Sequence, residues 1–339
     1  MSKKNSNVNL KNGFKEFKDL SSIYNSFKNK LNKFDKKNFL VAVSGGPDSL
    51  ALVALSKVYA YNKKVKFHYV LVDHNIRKNS NYEAKKVQEL LKKKQINLRI
   101  FSNKKKISRN IQAEARNRRY EILLNYCKKN KISILLTAHN LEDQVETFFI
   151  RLSRGSGLKG LSSMKSIRKI NNKIILYRPL LDVKKKFLIK ISKNVFGKYF
   201  KDPSNKNAKY LRTKIRNLKK PLESSGIKYE QIFKSIQNLS SSEETLEKYM
   251  NKIFKKLIKI NKKQIFINLK KYKDLTNNIK IALINESIKK IKYNYYDLRS
   301  KKVINLINNI NKKDFKKATL GGCIFFKKGA NLCLKDEKF

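Results

Sequence analysis

Phe39-Leu40-Val41-Ala42-Val43-Ser44-Gly45-Gly46-Pro47-Asp48-Ser49 is the stretch that decides the fold. Five apolar residues with two valines suit a buried strand, and they are too few for a helix. The two glycines let the chain turn sharply and bring its backbone close to a ligand. Pro47 suits a first helical turn, where its missing N–H costs nothing. A strand that turns through glycines into a helix aims unpaired N–H groups and a positive dipole end at whatever sits above it, which is a phosphate site. The loop is no Walker A loop, because it lacks the GK[ST] that would reach a γ-phosphate.

Working outward, the same alternation repeats. Helix is predicted from about Asp48 to Tyr59, strand over Phe67–Val72, helix over Tyr82–Leu91 and strand over Leu98–Phe101. Helix over Ile111–Cys127, strand over Ile132–Thr137 and helix over Leu141–Leu152 follow. Short β-branched strands alternating with longer helices mean an α/β fold, a parallel sheet with helices on both faces. Ligands of such sheets bind where strand carboxyl ends meet helix N-termini. Basic helices are expected over Lys184–Lys198 and Lys209–Lys220. Pro221 and the Ser224-Ser225-Gly226 turn mark a boundary. Beyond it, residues 227–339 read as a smaller, mostly helical α+β domain closed by a hairpin, Leu320–Phe326 with Asn331–Lys335. The expected division is a basic N-terminal extension (1–37), a catalytic domain (38–220) and a nucleic-acid-binding domain (221–339).

Lys and Arg number 81 against 25 Asp and Glu, a net charge of +56 over 339 residues. Low-GC coding accounts for many lysines but not for the shortage of acids, so the charge points to a polyanionic partner. Cys127, Cys323 and Cys333 form no CxxC pair, which fits a reducing compartment. No apolar run is long enough to span a membrane and the N-terminus has no secretory pattern, so a cytoplasmic protein with no membrane partner is expected.

Chemistry-bearing residues fall at the strand ends. Asp73, His74 and Arg77 follow the second strand. Gln112, Arg116, Arg119 and Tyr120 share one helix face, which is either a solvated face or a phosphate and base contact. His139 ends the fourth strand. Asp143 and Glu146 follow at i and i+3, placed to cap a helix, to hold Mg²⁺, or to bind the ammonium of an amine substrate. Arg151 and Arg154 flank a glycine-punctuated segment, Gly155-Ser156-Gly157-Leu158-Lys159-Gly160, either a mobile cover or an RNA contact. Asp202-Pro203-Ser204-Asn205 makes a turn, after which Arg212 and Arg216 share a helix face.

In this order the segments SGGPDS, DHNIR, IQAEARNRRY, TAHNLEDQVET, RGSGLKGL, RPLL and KDPSNKNAKYLRTKIR resemble the tRNA(Ile)-lysidine synthetase family of PP-loop ATP pyrophosphatases, over about residues 38–218. Asn140, Glu142, Lys201 and Thr213 depart from that pattern. The resemblance implies a PP-loop (adenine nucleotide alpha hydrolase-like) fold and an enzyme using ATP and Mg²⁺. Its implied partners are free L-lysine and a tRNA(Ile) with a CAU anticodon; the sequence is compatible with a homodimer. The implied reaction adenylates the wobble cytidine and then replaces AMP by lysine. Ser44, Gly45, Gly46, Pro47, Asp48 and Ser49 would hold the phosphates, with Asp73, His74 and Arg77 lining the nucleotide pocket. Arg116 and His139 would stabilise the α-phosphate. Asp143 and Glu146 would take lysine or, with Asp48, the metal; Arg151, Arg154, Arg212 and Arg216 would bind RNA. A thiolation enzyme or an inactive RNA-binding relative is the alternative reading.

Overall fold

The computed structural model describes residues 18–76, 79–102, 111–200, 210–261, 264–292, 298 and 300–337. They form two compact units that divide between Ser240 and Ser241.

In the first unit the strands β1 (Asn38–Val43), β2 (Lys66–Asp73), β3 (Leu98–Ser102), β4 (Ile134–Leu136), β5 (Ile167–Lys169) and β6 (Ile175–Tyr177) make one sheet, in the order β3-β2-β1-β4-β6-β5. All neighbours are parallel except the edge pair β5–β6. Alternate side chains of β1 divide between two cores. Phe39, Val41 and Val43 enter one, and Leu40 enters the other with Val70, Leu123, Leu135 and Leu176. Both faces are covered, so β1 has no room for a polar residue beyond its exposed first position, Asn38. The strand order reverses between β1 and β4, the place where an open α/β sheet leaves a crevice above its carboxyl edge.

The helices of the alternation are α2 (Pro47–Asn62), α3 (Ser80–Lys92), α4 (Ile111–Lys129) and α5 (Leu141–Leu152). Leu50 through Leu55 are fully buried, so α2 is enclosed rather than amphipathic. A short turn, α6 (Leu158–Leu161), precedes the β5–β6 pair; α7 (Lys185–Phe196) ends at Gly197 in the left-handed conformation (φ +74°).

Several expectations are corrected. Within the N-terminal extension, expected as a basic lead-in helix or a partly disordered arm, residues 18–31 form a helix, α1 (Lys18–Leu31), and it is part of the core rather than an appendage. Its Leu20, Phe27 and Leu31 are at most 1% exposed in the core that holds Phe39 and Val41. The β5–β6 pair was not expected; three-residue strands are too short to show a period. Pro221 interrupts nothing. It lies in the first turn of α9 (Lys219–Ser224), next to α8 (Leu211–Asn217), and α10 (Tyr229–Leu257) runs on for 29 residues. The division between units therefore falls inside α10, about twenty residues beyond the expected boundary.

The second unit holds five antiparallel strands rather than a lone hairpin. They are β7 (Ile258–Asn261), β8 (Gln264–Asn268), β9 (Lys317–Leu320), β10 (Cys323–Lys328) and β11 (Asn331–Asp336), ordered β7-β8-β11-β10-β9. With them are α11 (Leu269–Lys273), α12 (Asn277–Ile291) and α13 (Ser300–Asn311). Ile265, Ile267, Leu283, Ile284, Val303, Phe325 and Leu332 form its core. Among the described residues, no helix is long and apolar enough to cross a membrane.

Candidate active site

The site grows from the turn between β1 and α2. Gly45 has φ +77°, and a Cβ there would lie 2.5 Å from Val87 Cγ2, so the position requires glycine. Its carbonyl accepts from Phe200 N at 3.0 Å, which ties the turn to the segment after α7. Ser49 Oγ accepts from Ser44 N (3.2 Å) and donates to Gly46 O (2.9 Å), closing the loop on itself. Gly46 caps α2 without a side chain and Pro47 opens the helix, leaving first-turn N–H groups for a ligand.

Asp48 follows directly. One of its carboxylate oxygens, Oδ1, is buried without a hydrogen-bond partner. Lys185 Nζ lies 3.7 Å from Oδ2. Burial outweighs that lysine and, with Asp143 and Glu142 nearby, raises the Asp48 pKa to about 6.

At the end of β2, Asp73 is buried and its Oδ1 accepts from Asn75 N (2.9 Å), an Asx turn that lets Asn75 take φ +51°. Asp73 thus shapes the turn. His74 beside it keeps a buried Nδ1 without a partner, and burial with the neighbouring Arg119 holds its pKa down. Arg77 lies outside the described residues, as does the Lys201–Asn205 turn.

Above β4 and β6 the site is walled by arginine. His139 Nδ1 is 3.0 Å from Thr137 Oγ1. Burial and then Arg178, Arg116, Arg212 and Arg119 push its pKa well below the usual histidine value, so it is a neutral imidazole facing four cations. Arg178, directly after β6, is only 4% exposed. It donates to Lys165 O (2.7 Å) and to Tyr120, and its Nε is buried without a partner. Arg116 and Arg119 lie over the Tyr120 ring at 5.2 and 5.8 Å. Arg116 and His139 are therefore together, as expected. Arg178 was read only as part of an RPLL run; its place at the carboxyl end of a strand is what assigns it to the site.

The acidic run at the start of α5 separates into three tasks. Asn140 caps the helix, with its side chain accepting from Asp143 N (3.0 Å) and Asp143 Oδ2 accepting from Asn140 N (3.1 Å). Asn is among the strongest N-caps, so Asn140 closes the helix start in a reciprocal capping box. Glu142 accepts from Lys185 N (2.8 Å) and Lys219 Nζ (3.3 Å), so it anchors the start of α7. Glu146, its side chain 3% exposed, is held by Arg212 Nε (2.9 Å) and Arg216 Nε (2.7 Å). Arg212 also lies 3.6 Å from Asp143 Oδ1. Glu146 is not a waiting carboxylate: it clasps α5 to α8, and two of the four arginines expected on RNA, Arg212 and Arg216, are its partners.

Arg151 is committed as well. Its Nη1 donates to Gly160 O (2.6 Å) and Ser163 O (2.8 Å), while Gln144 exchanges two 2.8 Å bonds with the Met164 backbone. With Arg178 on Lys165 O, the segment after the glycines is pinned by three side chains. Arg154 is exposed at the tip. A cleft of about 390 Å³ opens beside Glu142, Glu146, Lys185, Arg216, Lys219 and Tyr229.

The PP-loop domain family ATP_bind_3 matches residues 20–222. The tRNA(Ile)-lysidine synthase of Wolbachia pipientis wMel is 34% identical over 318 residues, spanning 92% of this chain and 74% of that protein. The tRNA(Ile)-lysidine synthase of Rickettsia typhi is 32% identical over 310 residues, 89% of this chain and 71% of that one. Among solved structures, the U34-tRNA thiolase NcsA of Methanococcus maripaludis, with its [4Fe-4S] cluster, shares the fold at a TM-score of 0.54. It is 17% identical and covers 65% of this chain and 80% of that one. The phosphate loop, the arginine wall and the length of the matches lead to one family: this chain is a member of the tRNA(Ile)-lysidine synthases, built on a PP-loop domain.

Proposed function

We propose that the chain joins L-lysine to the wobble cytidine of a tRNA(Ile) with a CAU anticodon, at the expense of ATP. The C2 carbonyl oxygen of the cytidine attacks the α-phosphorus, the α–β bond breaks, and pyrophosphate leaves. An amine of lysine then attacks C2, loses its proton, and AMP departs with the oxygen. The product base pairs with A instead of G.

The observation that carries this reading is the set of buried polar atoms without partners along the strand carboxyl ends: Asp48 Oδ1 after β1, His74 Nδ1 after β2 and Arg178 Nε after β6. Buried polar groups are nearly always paired within a protein, so such a row marks groups that a ligand completes. The glycine turn and α2 N-terminus suit pyrophosphate. Arg116 and Arg178, with the neutral His139, suit charge developing on the α-phosphate. Among the described residues no cluster of three or more His, Cys, Asp or Glu is suited to a metal. Mg²⁺ in nucleotide sites needs only one or two carboxylates besides phosphate oxygens and water, so Asp48 with its free oxygen, and Asp143 beside it, fit the ion. When bound, it would neutralise charge on the departing pyrophosphate.

A thiolation enzyme is not favoured. Cys127, Cys323 and Cys333 are all buried, and burial pushes the Cys127 thiol up to about 12 and Cys323 to about 11, the opposite of a reactive thiolate.

The test is pyrophosphate release without lysine, on tRNA(Ile) transcripts carrying cytidine or uridine at the wobble position. Release on the cytidine transcript alone is expected; equal release on both would overturn the assignment of the base.

A further inference from the structure

The segment 177–183, which leads from β6 towards α7, carries both ends of the turn that presents His139. Thr137 N donates to Tyr177 O (3.0 Å), and Leu141 N donates to Val183 O (3.1 Å). His139 lies midway between those two bonds, and Arg178 stands on the segment itself. Where the imidazole and the guanidinium sit therefore depends on where this one segment lies.

Helix α1 holds the segment at its middle. Lys30 Nζ donates to Pro179 O (3.0 Å) and to both carboxylate oxygens of Asp182 (2.6 and 2.7 Å). A lysine ammonium has three donors, and here all three go to this segment. Phe34, just past α1, packs on the Tyr177 ring at 4.9 Å. Leu20, Phe27 and Leu31 share a core with Leu180, so α1 is itself fixed against the segment it grips. Stability alone gives this grip little purpose. Asp182 has a side chain 46% exposed, and an ion pair that open to water adds little to folding. What the three bonds do determine is geometry.

We infer that Lys30 is a positioning residue for the reaction: it acts through the 177–183 segment to hold Arg178 and His139 in place at the strand ends. The inference rests on the proposed roles of those two groups at the α-phosphate. Misplacing reacting groups by about 1 Å can cost about a hundredfold in rate, so a contact that contributes little to stability can still matter to turnover.

Lys30→Met keeps the stem and removes the donors, while Lys30→Arg keeps charge and donors. For pyrophosphate release on the cytidine transcript, kcat should fall about tenfold in Lys30→Met with KM for ATP and tRNA within about twofold, and Lys30→Arg should recover most of it. The melting temperature should fall by no more than about 4 °C. A second readout needs no substrate. The chain has three histidines, so spectra of histidine-labelled protein resolve the His139 ring, assigned with His139→Gln. Its signal should move in Lys30→Met, while that of His68, paired with the Tyr126 hydroxyl, stays. An unmoved His139 signal would overturn the inference, as would equal kcat in wild type and Lys30→Met. A lowered melting temperature with all three signals displaced would also overturn it, as a loosened fold. A displaced His139 signal in a chain whose wild type releases no pyrophosphate would uphold the positioning and sink the reaction instead.

Discussion

Asp48 shows how one residue can be costly to the empty protein and necessary to the loaded one. Its carboxyl pKa is raised from 3.8 to about 6, chiefly by burial. The folded chain therefore holds that proton more tightly than the unfolded chain does. The resulting stabilisation is complete below about pH 4 and is lost as pH rises through 6. Asp48→Asn should thus leave the ligand-free protein about 2 kcal/mol more stable than wild type at pH 8 and no more stable at pH 4, while abolishing pyrophosphate release. Urea unfolding at the two pH values checks it; equal stability at pH 8 would count against the burial of Asp48. The loop itself was legible in the sequence, because glycine and proline chemistry is local. Arg178 was not. Its meaning lies in Lys165 and Tyr120, residues that only the fold brings to it.

At the scale of elements, the α5–α8 clasp replaces the picture of a free acidic pair. Glu146, itself buried, compensates two guanidiniums whose side chains are 40% and 32% exposed, so Glu146→Gln leaves two partly solvated positive charges side by side and should cost about 2 kcal/mol. A melting temperature within 2 °C of wild type would refute the clasp. The sequence placed Asp143 and Glu146 at the right spacing on the right helix, yet acids at i and i+3 look alike whether they hold a metal, a substrate or a partner helix. The β-α alternation through Leu152 was readable from its periods. The closing hairpin of the second sheet was readable too, but the β5–β6 pair and the strands that extend that hairpin were not, since IRK, ILY and IKIN are too short, and too broken by lysine, to show alternation.

At the scale of the molecule, the net charge of +56 is the main feature that composition alone supplies. If tRNA neutralises six to ten of these charges, affinity should fall by about 10³ to 10⁵ between 50 and 200 mM salt. Filter binding across that range tests the reading, and a flat response would remove tRNA as the partner. The unit boundary was harder to read than the charge. A proline and a serine-glycine turn announced it near 221, but Pro221 sits where a helix tolerates it and α10 continues past the division.

The most direct test of the central claim is transfer of labelled lysine to a tRNA(Ile) transcript with a CAU anticodon, with and without ATP, beside a transcript carrying uridine at the wobble position. The account predicts ATP-dependent label on the cytidine transcript only. Label on neither, with pyrophosphate still released, would contradict lysine as the nucleophile.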